Sequence, residues 1–301
     1  MPTGLHGKIL FAFFIMVGYT ITMKIRNFLW SHNMIKLIPV LLIILFYPAC
    51  SSGPVKKADS GKQEIIPTGD FIDVKTIEDF FRRCEKDINR AREVIIKRDL
   101  IKNLTHLQNM DSGGKKYYLL ERENITGMIK AVTENTYHDF ILINKSGTVI
   151  YTMKSDDLFG KNVRTTLKST PLNRCYENRN SGIHLEDMSI SESLGNIYAI
   201  FISTKVTGDN SFPGIFILQV GADKIAELLS KKTAVIGTDG RYRIIHDREK
   251  MLLDYPYADR ITVGAGPEND RIYRFNLPGK GDIHYRFFKF KNLSWIIVSE
   301  D

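Results

Sequence analysis

Apolar residues recur along the chain from Thr76 to Met110 at spacings of three and four: Ile77, Phe81, Cys84, Ile88, Ala91 and Ile95, then, after one step of six, Ile101, Leu104 and Leu107. That period predicts a long amphipathic helix. Thr76 is placed to cap it, with Asp79 as a weak capping box and Glu78 favourable to the dipole, and Asp111-Ser112-Gly113-Gly114 to end it. A second helix is expected from Tyr117 to Glu134, weakened by about 1 kcal/mol by Gly127. The pattern then changes to short runs of β-branched and aromatic residues. Strands are expected near 139–144, 148–153, 197–206 and 214–220, with a loop-and-helix excursion from Ser155 to Met188. Such a long insertion suits a lid or binding loop. After a short helix from Ala222 to Lys231 comes a second round. It has a hairpin about Asp239-Gly240, a loop from Arg248 to Pro267, the strands RIYRFN and IHYRFFKF, and a closing strand from Leu293 to Ser299. The fold class is α+β: a long N-terminal helix followed by two lobes, each with an antiparallel sheet.

The first hairpin turns on Lys145-Ser146-Gly147, where Gly147 can take a positive φ. It is followed by Tyr151-Thr152, Lys154, the acidic pair Asp156-Asp157 and Phe159-Gly160-Lys161-Asn162-Val163. Further on come Ser181-Gly182, Leu185-Glu186-Asp187, the strand Ile197–Val206 and Gly214–Val220. This order resembles the double Cache family, extracytoplasmic PAS-like domains that bind small ligands for bacterial chemoreceptors, histidine kinases and cyclases. The resemblance implies a distal lobe over 136–231 with the ligand between its sheet and the excursion, and a proximal lobe over 232–301, after N-terminal helices over 71–135. It also implies ligand contacts from Tyr151, Asp187, Tyr198 and Ser203, with Asp187 receiving an amine. For Asp187 a cap or turn role stands beside this, and for Tyr151 a core aromatic. The Arg-x-Trp pair of the amino-acid-binding subset is replaced by Arg174-Cys175-Tyr176. The long helix is also where the family dimerises, so a homodimer or a signalling partner protein is expected. No output domain is expected after the second lobe.

Upstream, LIPVLLIILFYPA from Leu37 to Ala49 is short for a membrane span, which takes about 20 residues, and suits a signal-peptide core. Cys50, followed by Ser51-Ser52-Gly53, resembles a lipobox cysteine, which makes residues 1–49 a leader, Cys50 the lipidated residue and 50–70 a tether. An uncleaved anchor is the alternative. Either places the rest outside the cytoplasmic membrane, on the periplasmic side or cell surface. A further apolar run, Ile9–Thr22, fits no single signal peptide, and Met23 or Met34 offers a better start.

The formal charge of +8 over 301 residues contains four basic residues of the leader and no acid from it, so 38 basic against 34 acidic residues leave +4. Basic and acidic residues alternate, which excludes the cationic stripe of a nucleic-acid binder. Of three cysteines, Cys84 and Cys175 remain after Cys50, and both are expected to stay unpaired. No Cys-x-x-Cys, G-x-S-x-G, H-E-x-x-H, P-loop or Rossmann fingerprint occurs, so neither an enzyme nor a metal or other cofactor is expected. Two readings follow: an extracytoplasmic small-molecule-sensing lipoprotein, or a structural or envelope-interaction lipoprotein that keeps the two-lobed fold with a non-functional pocket.

Overall fold

The computed structural model describes residues 64–66, 72–110, 113–190, 195–208, 211–262 and 271–300. The described residues all fall within one compact unit, 59–301. The leader, the start-site readings and Cys50 lie outside the described residues.

The apolar stripe forms two helices rather than one. The first, α1, runs Ile72–Lys97, so Thr76 lies inside it and does not cap it. Asp99 adopts a left-handed backbone (φ 50°, ψ 36°) and starts α2, Leu100–Asn109. The step of six between Ile95 and Ile101 is the trace of that break: the helix is interrupted once and resumes with its apolar residues still buried. Helix α3 spans Gly114–Lys130, starting three residues earlier than the pattern predicts and ending four earlier. Its packing against α2 needs a glycine, because a Cβ at Gly114 would stand 2.0 Å from the Leu107 carbonyl oxygen.

A short strand β1, Glu64–Ile66, precedes α1 and pairs with the proximal sheet, within the stretch read as tether. The distal sheet comprises β2 (Asp139–Asn144), β3 (Val149–Thr152), β4 (Ile183–Ser189), β5 (Ala199–Gly208) and β6 (Ser211–Gly221), in the order β3-β2-β6-β5-β4. Strand β4 lies inside the segment expected to be loop and helix. The excursion otherwise holds a 3₁₀ turn, Asp156–Leu158, and a short helix α4, Pro171–Glu177, capped by Thr170. A five-residue helix α5, Ala222–Ala226, leads to the proximal lobe.

That lobe contains β7 (Thr233–Gly237), β8 (Tyr242–Ile244), α6 (Ala258–Thr262), β9 (Ile272–Leu277), β10 (Gly281–Phe290) and β11 (Leu293–Glu300). Its order from the hairpin edge, β8-β7-β11-β10-β9, repeats the distal order strand for strand, with β1 added outside β9. Gly147 and Gly240 take φ of 87° and 80° in the two hairpin turns, as a tight turn requires.

One helical layer serves both sheets. The buried face of α1 packs on Phe140, Leu142 and Phe216 of the distal sheet and on Phe288, Phe290 and Trp295 of the proximal one, within a single apolar core. Phe81 alone meets the rings of Phe290, Trp295 and Phe288 at centroid distances of 5.4, 5.7 and 6.2 Å. Midway along α1 the fully buried Asp87 accepts hydrogen bonds from the backbone of Glu134 (2.9 Å) and Asn135 (3.0 Å), the Asn135 amide (3.1 Å) and the Tyr137 hydroxyl (2.8 Å). Those bonds pin the chain to α1 where it enters the distal sheet.

Candidate functional site

The two faces of the distal sheet have different coverings, and side-chain alternation decides which residue meets which. Phe140 and Leu142 point to the helices, whereas Ile141 and Ile143 point outward to the excursion. On the outer face Leu158, Val163, Leu167, Leu172 and Tyr176 fold over Phe201, Ile215 and Ile217, all buried. Tyr176 is fixed there from several sides: its hydroxyl donates to the Lys145 carbonyl (2.5 Å), and the Arg164 and Arg179 guanidinium carbons lie 5.0 and 4.7 Å from its ring centroid.

Polar groups interrupt this apolar layer where α4 meets β4. Arg174 of α4 pairs with Glu186 of β4, and the His184 ring nitrogen Nε2 lies 3.4 Å from the other Glu186 oxygen. Burial raises the Glu186 pKa, but the hydrogen bonds from His184 and Arg174 outweigh it and hold the carboxyl below its ordinary range. Beneath them the Cys175 thiol is pushed up to about 12, by burial first and then by the Glu186 charge, with Ser203 as its hydrogen-bonding neighbour. The thiol is therefore buried and protonated at neutral pH. Both Cys84 and Cys175 are free and buried. Among the described residues, no group of three or more His, Cys, Asp or Glu side chains is arranged to hold a metal ion.

The four residues expected at one ligand site are not brought together. Ser203 is on the outer face, buried against α4, with its hydroxyl 3.4 Å from the His184 carbonyl. Tyr151 is on the helix face of the edge strand β3, fully buried, edge-on to Tyr118 (6.4 Å) and hydrogen-bonded to the Thr126 hydroxyl (2.7 Å). Tyr198 packs, half-buried, against that same helix-side core. Asp187 lies on β4, the opposite edge of the sheet, and its carboxylate accepts from Arg243 Nε (2.7 Å) and Trp295 Nε1 (2.8 Å) of the proximal lobe. Three strands separate Asp187 from Tyr151, so the two side chains do not share a cavity.

His184 and Glu186 escaped the sequence reading because β4 was not recognised as a strand. The alternation Ile183, His184, Leu185, Glu186 was the available signal, and it assigns the two polar residues to one face. A separate open groove of about 480 Å³ lies between α1 and the connection after α3, lined by Arg90, Glu93, Lys97, Val132 and Thr133. The Arg90–Glu134 ion pair (2.6 Å) belongs to it, and it takes no part in the outer face.

No protein-family model matches the chain, and no curated protein matches it in sequence. Solved structures do. An extracellular ligand-binding receptor from Desulfohalobium retbaense aligns with a TM-score of 0.54 at 10% identity, over 75% of this chain and 38% of that one. The sensor domain of the V. cholerae histidine kinase DctB aligns at 0.52 and 11% identity, over 76% of this chain and 95% of that one. The ligand-binding domain of the Campylobacter jejuni chemoreceptor Tlp3, in complex with L-valine, aligns at 0.50 and 12% identity, over 76% and 88%. The chain thus spans 38% of the length of the Desulfohalobium receptor, and most of the two isolated sensor domains. At such identities the likeness is one of fold. Among the described residues, no helix is long and apolar enough to cross a membrane.

Proposed function

We propose, from the double Cache sensor fold that this chain has, that it is an extracytoplasmic small-molecule-sensing domain, lipidated at Cys50 and held off the membrane by the residues that follow. The observation that carries the reading is the polar cluster of Arg174, Glu186, His184 and Ser203, set into an otherwise apolar face under the excursion. A few convergent polar groups in an apolar setting are what a small-ligand site requires. Basic residues outnumber acidic ones seven to three between Lys145 and Arg179, which favours a ligand bearing a carboxylate. Ser203 is the proposed ligand contact among the four residues picked from sequence. Tyr151 and Tyr198 are proposed to serve the core, and Asp187 the junction of the lobes. The readout passes to a partner protein or to a second copy along α1.

A second reading is favoured by one specific observation: Leu158, Val163, Leu167, Leu172 and Phe201 already fill the outer face. On that reading the protein is an envelope-interaction lipoprotein with a closed pocket. Thermal denaturation against a panel of amino acids, L-valine among them, and other small carboxylates separates the two. A ligand at a hundredfold its Kd stabilises by about 2.7 kcal/mol, which is roughly 5–10 °C for a domain of this size. The sensing reading expects such a rise, lost in Arg174→Ala. If no compound raises the midpoint, the closed-pocket reading replaces it.

A further inference from the structure

Strand β4 has two working sides. Its outward side chains, His184 and Glu186, engage α4 through Arg174. Its other side is gripped by the proximal lobe at two points. Asn292, in the turn between β10 and β11, donates to the Leu185 carbonyl (2.6 Å) and accepts from the Leu185 amide (3.0 Å), as a further strand would. The Asp187 carboxylate takes Arg243 Nε on one oxygen and Trp295 Nε1 on the other. Arg243 reaches that far because residue 237 is glycine: a Cβ there would lie 2.3 Å from its Nη2. Asp239 holds the same guanidinium (2.9 Å), so Arg243 stands between a carboxylate of each lobe. Neighbouring residues on one strand, Glu186 and Asp187, thus belong to the excursion side and to the proximal lobe respectively, and β4 is an edge strand, paired on one side only. Such a strand can rotate or slide at the cost of one ladder of hydrogen bonds and, here, the two bonds to Asn292, and a register irregularity between Glu186 and Ser189 already relaxes that ladder.

We propose that β4 couples the outer face of the distal lobe to the proximal lobe, with Asp187 as the latch and Arg243 and Trp295 as its catch. A change in the Arg174–Glu186 pair twists β4 and is read, through the peptide between Glu186 and Asp187, as a change in the hydrogen bonds at Trp295. The site coupled is the one named under the proposed function, but the coupling is testable without a ligand.

Trp30 and Trp295 are the two tryptophans of the chain, and Trp30 falls within the stretch read as leader, so in the chain expressed with Trp30→Phe the indole of Trp295 reports alone whether or not residues 1–49 are removed. Its indole ¹H–¹⁵N resonance and emission are recorded for Asp187→Ala, Gly237→Ala and Glu186→Gln. Arg122→Gln, which breaks the ion pair to Asp156 at the far side of the lobe, is the control. Asp187→Ala and Gly237→Ala should move the resonance, with loss of indole N–H protection and a red-shifted emission in Asp187→Ala. Glu186→Gln should move it in the same direction by less, and the control should leave it in place. A Trp295 resonance unmoved by Asp187→Ala or by Glu186→Gln, or moved as much by the control, overturns the coupling. If Glu186→Gln moves Trp295 while no compound of the panel does so or raises the midpoint, the coupling stands and the sensing reading falls. If compounds raise the midpoint while neither they nor Glu186→Gln move Trp295, sensing stands and the coupling falls.

Discussion

Replacing Asp87 by alanine removes one acceptor group on which four hydrogen bonds converge, at a position with no exposed surface. The Tyr137 hydroxyl, itself buried, loses its acceptor and is left to pay its desolvation, about 1–3 kcal/mol. The backbone amides of Glu134 and Asn135 lie at the edge of the site, where water can reach them in part, and add about 1 kcal/mol each. Relief of a buried charge offsets some of this. The expected net loss is about 2–4 kcal/mol, read as a lowered urea midpoint at unchanged slope. Because α1 contributes to the core of both sheets, the lobes should unfold in one transition. Tyr137→Phe tests the attribution: with the hydroxyl gone, Asp87→Ala should cost at least about 0.5–1 kcal/mol less than it does in the wild type, as expected for directly bonded partners. A loss below about 1 kcal/mol for Asp87→Ala, or strict additivity of the two substitutions, would refute the assignment of Asp87 as the pin between α1 and the distal sheet.

Three further outcomes are expected. Burial pushes the thiols of Cys84 and Cys175 up to about 12, so a thiol reagent at pH 8 should modify neither in the folded protein and both in denaturant; rapid labelling of the native chain would contradict the packing. His138 has its pKa lowered, by burial first and then by the nearby Lys154 charge. The unfolded state therefore binds the proton more readily. Stability should fall as pH drops from about 6.5 toward the folded-state value, a slope that His138→Gln should flatten in paired urea titrations. Finally, Cys50→Ala should abolish processing and membrane association; mass spectrometry that finds residues 1–49 retained in the wild-type protein would remove the lipoprotein reading.

The sequence by itself determined the elements whose signal is local. The period of the apolar stripe gave helical structure over that stretch but not its division into two helices, and Gly147 and Gly240 gave both hairpins, since a positive φ in a tight turn is a property of a few neighbouring residues. The two-round order of elements gave the two-lobed architecture. What only the tertiary structure decided depends on contacts between residues far apart in the chain. Strand β4 was hidden because it is bounded by loop on one side and pairs only with β5, so its identity rests on that partner. Strand β1, three residues long, exists through β9, more than 200 residues away. The break at Asp99 was written as a spacing of six, but its direction follows from how α2 packs over the distal sheet. Asp187 could be singled out from the sequence as a charged residue with a task. That its partners would be Arg243 and Trp295 was set by which face of β4 it occupies, and a shift of one residue along a strand reverses every face.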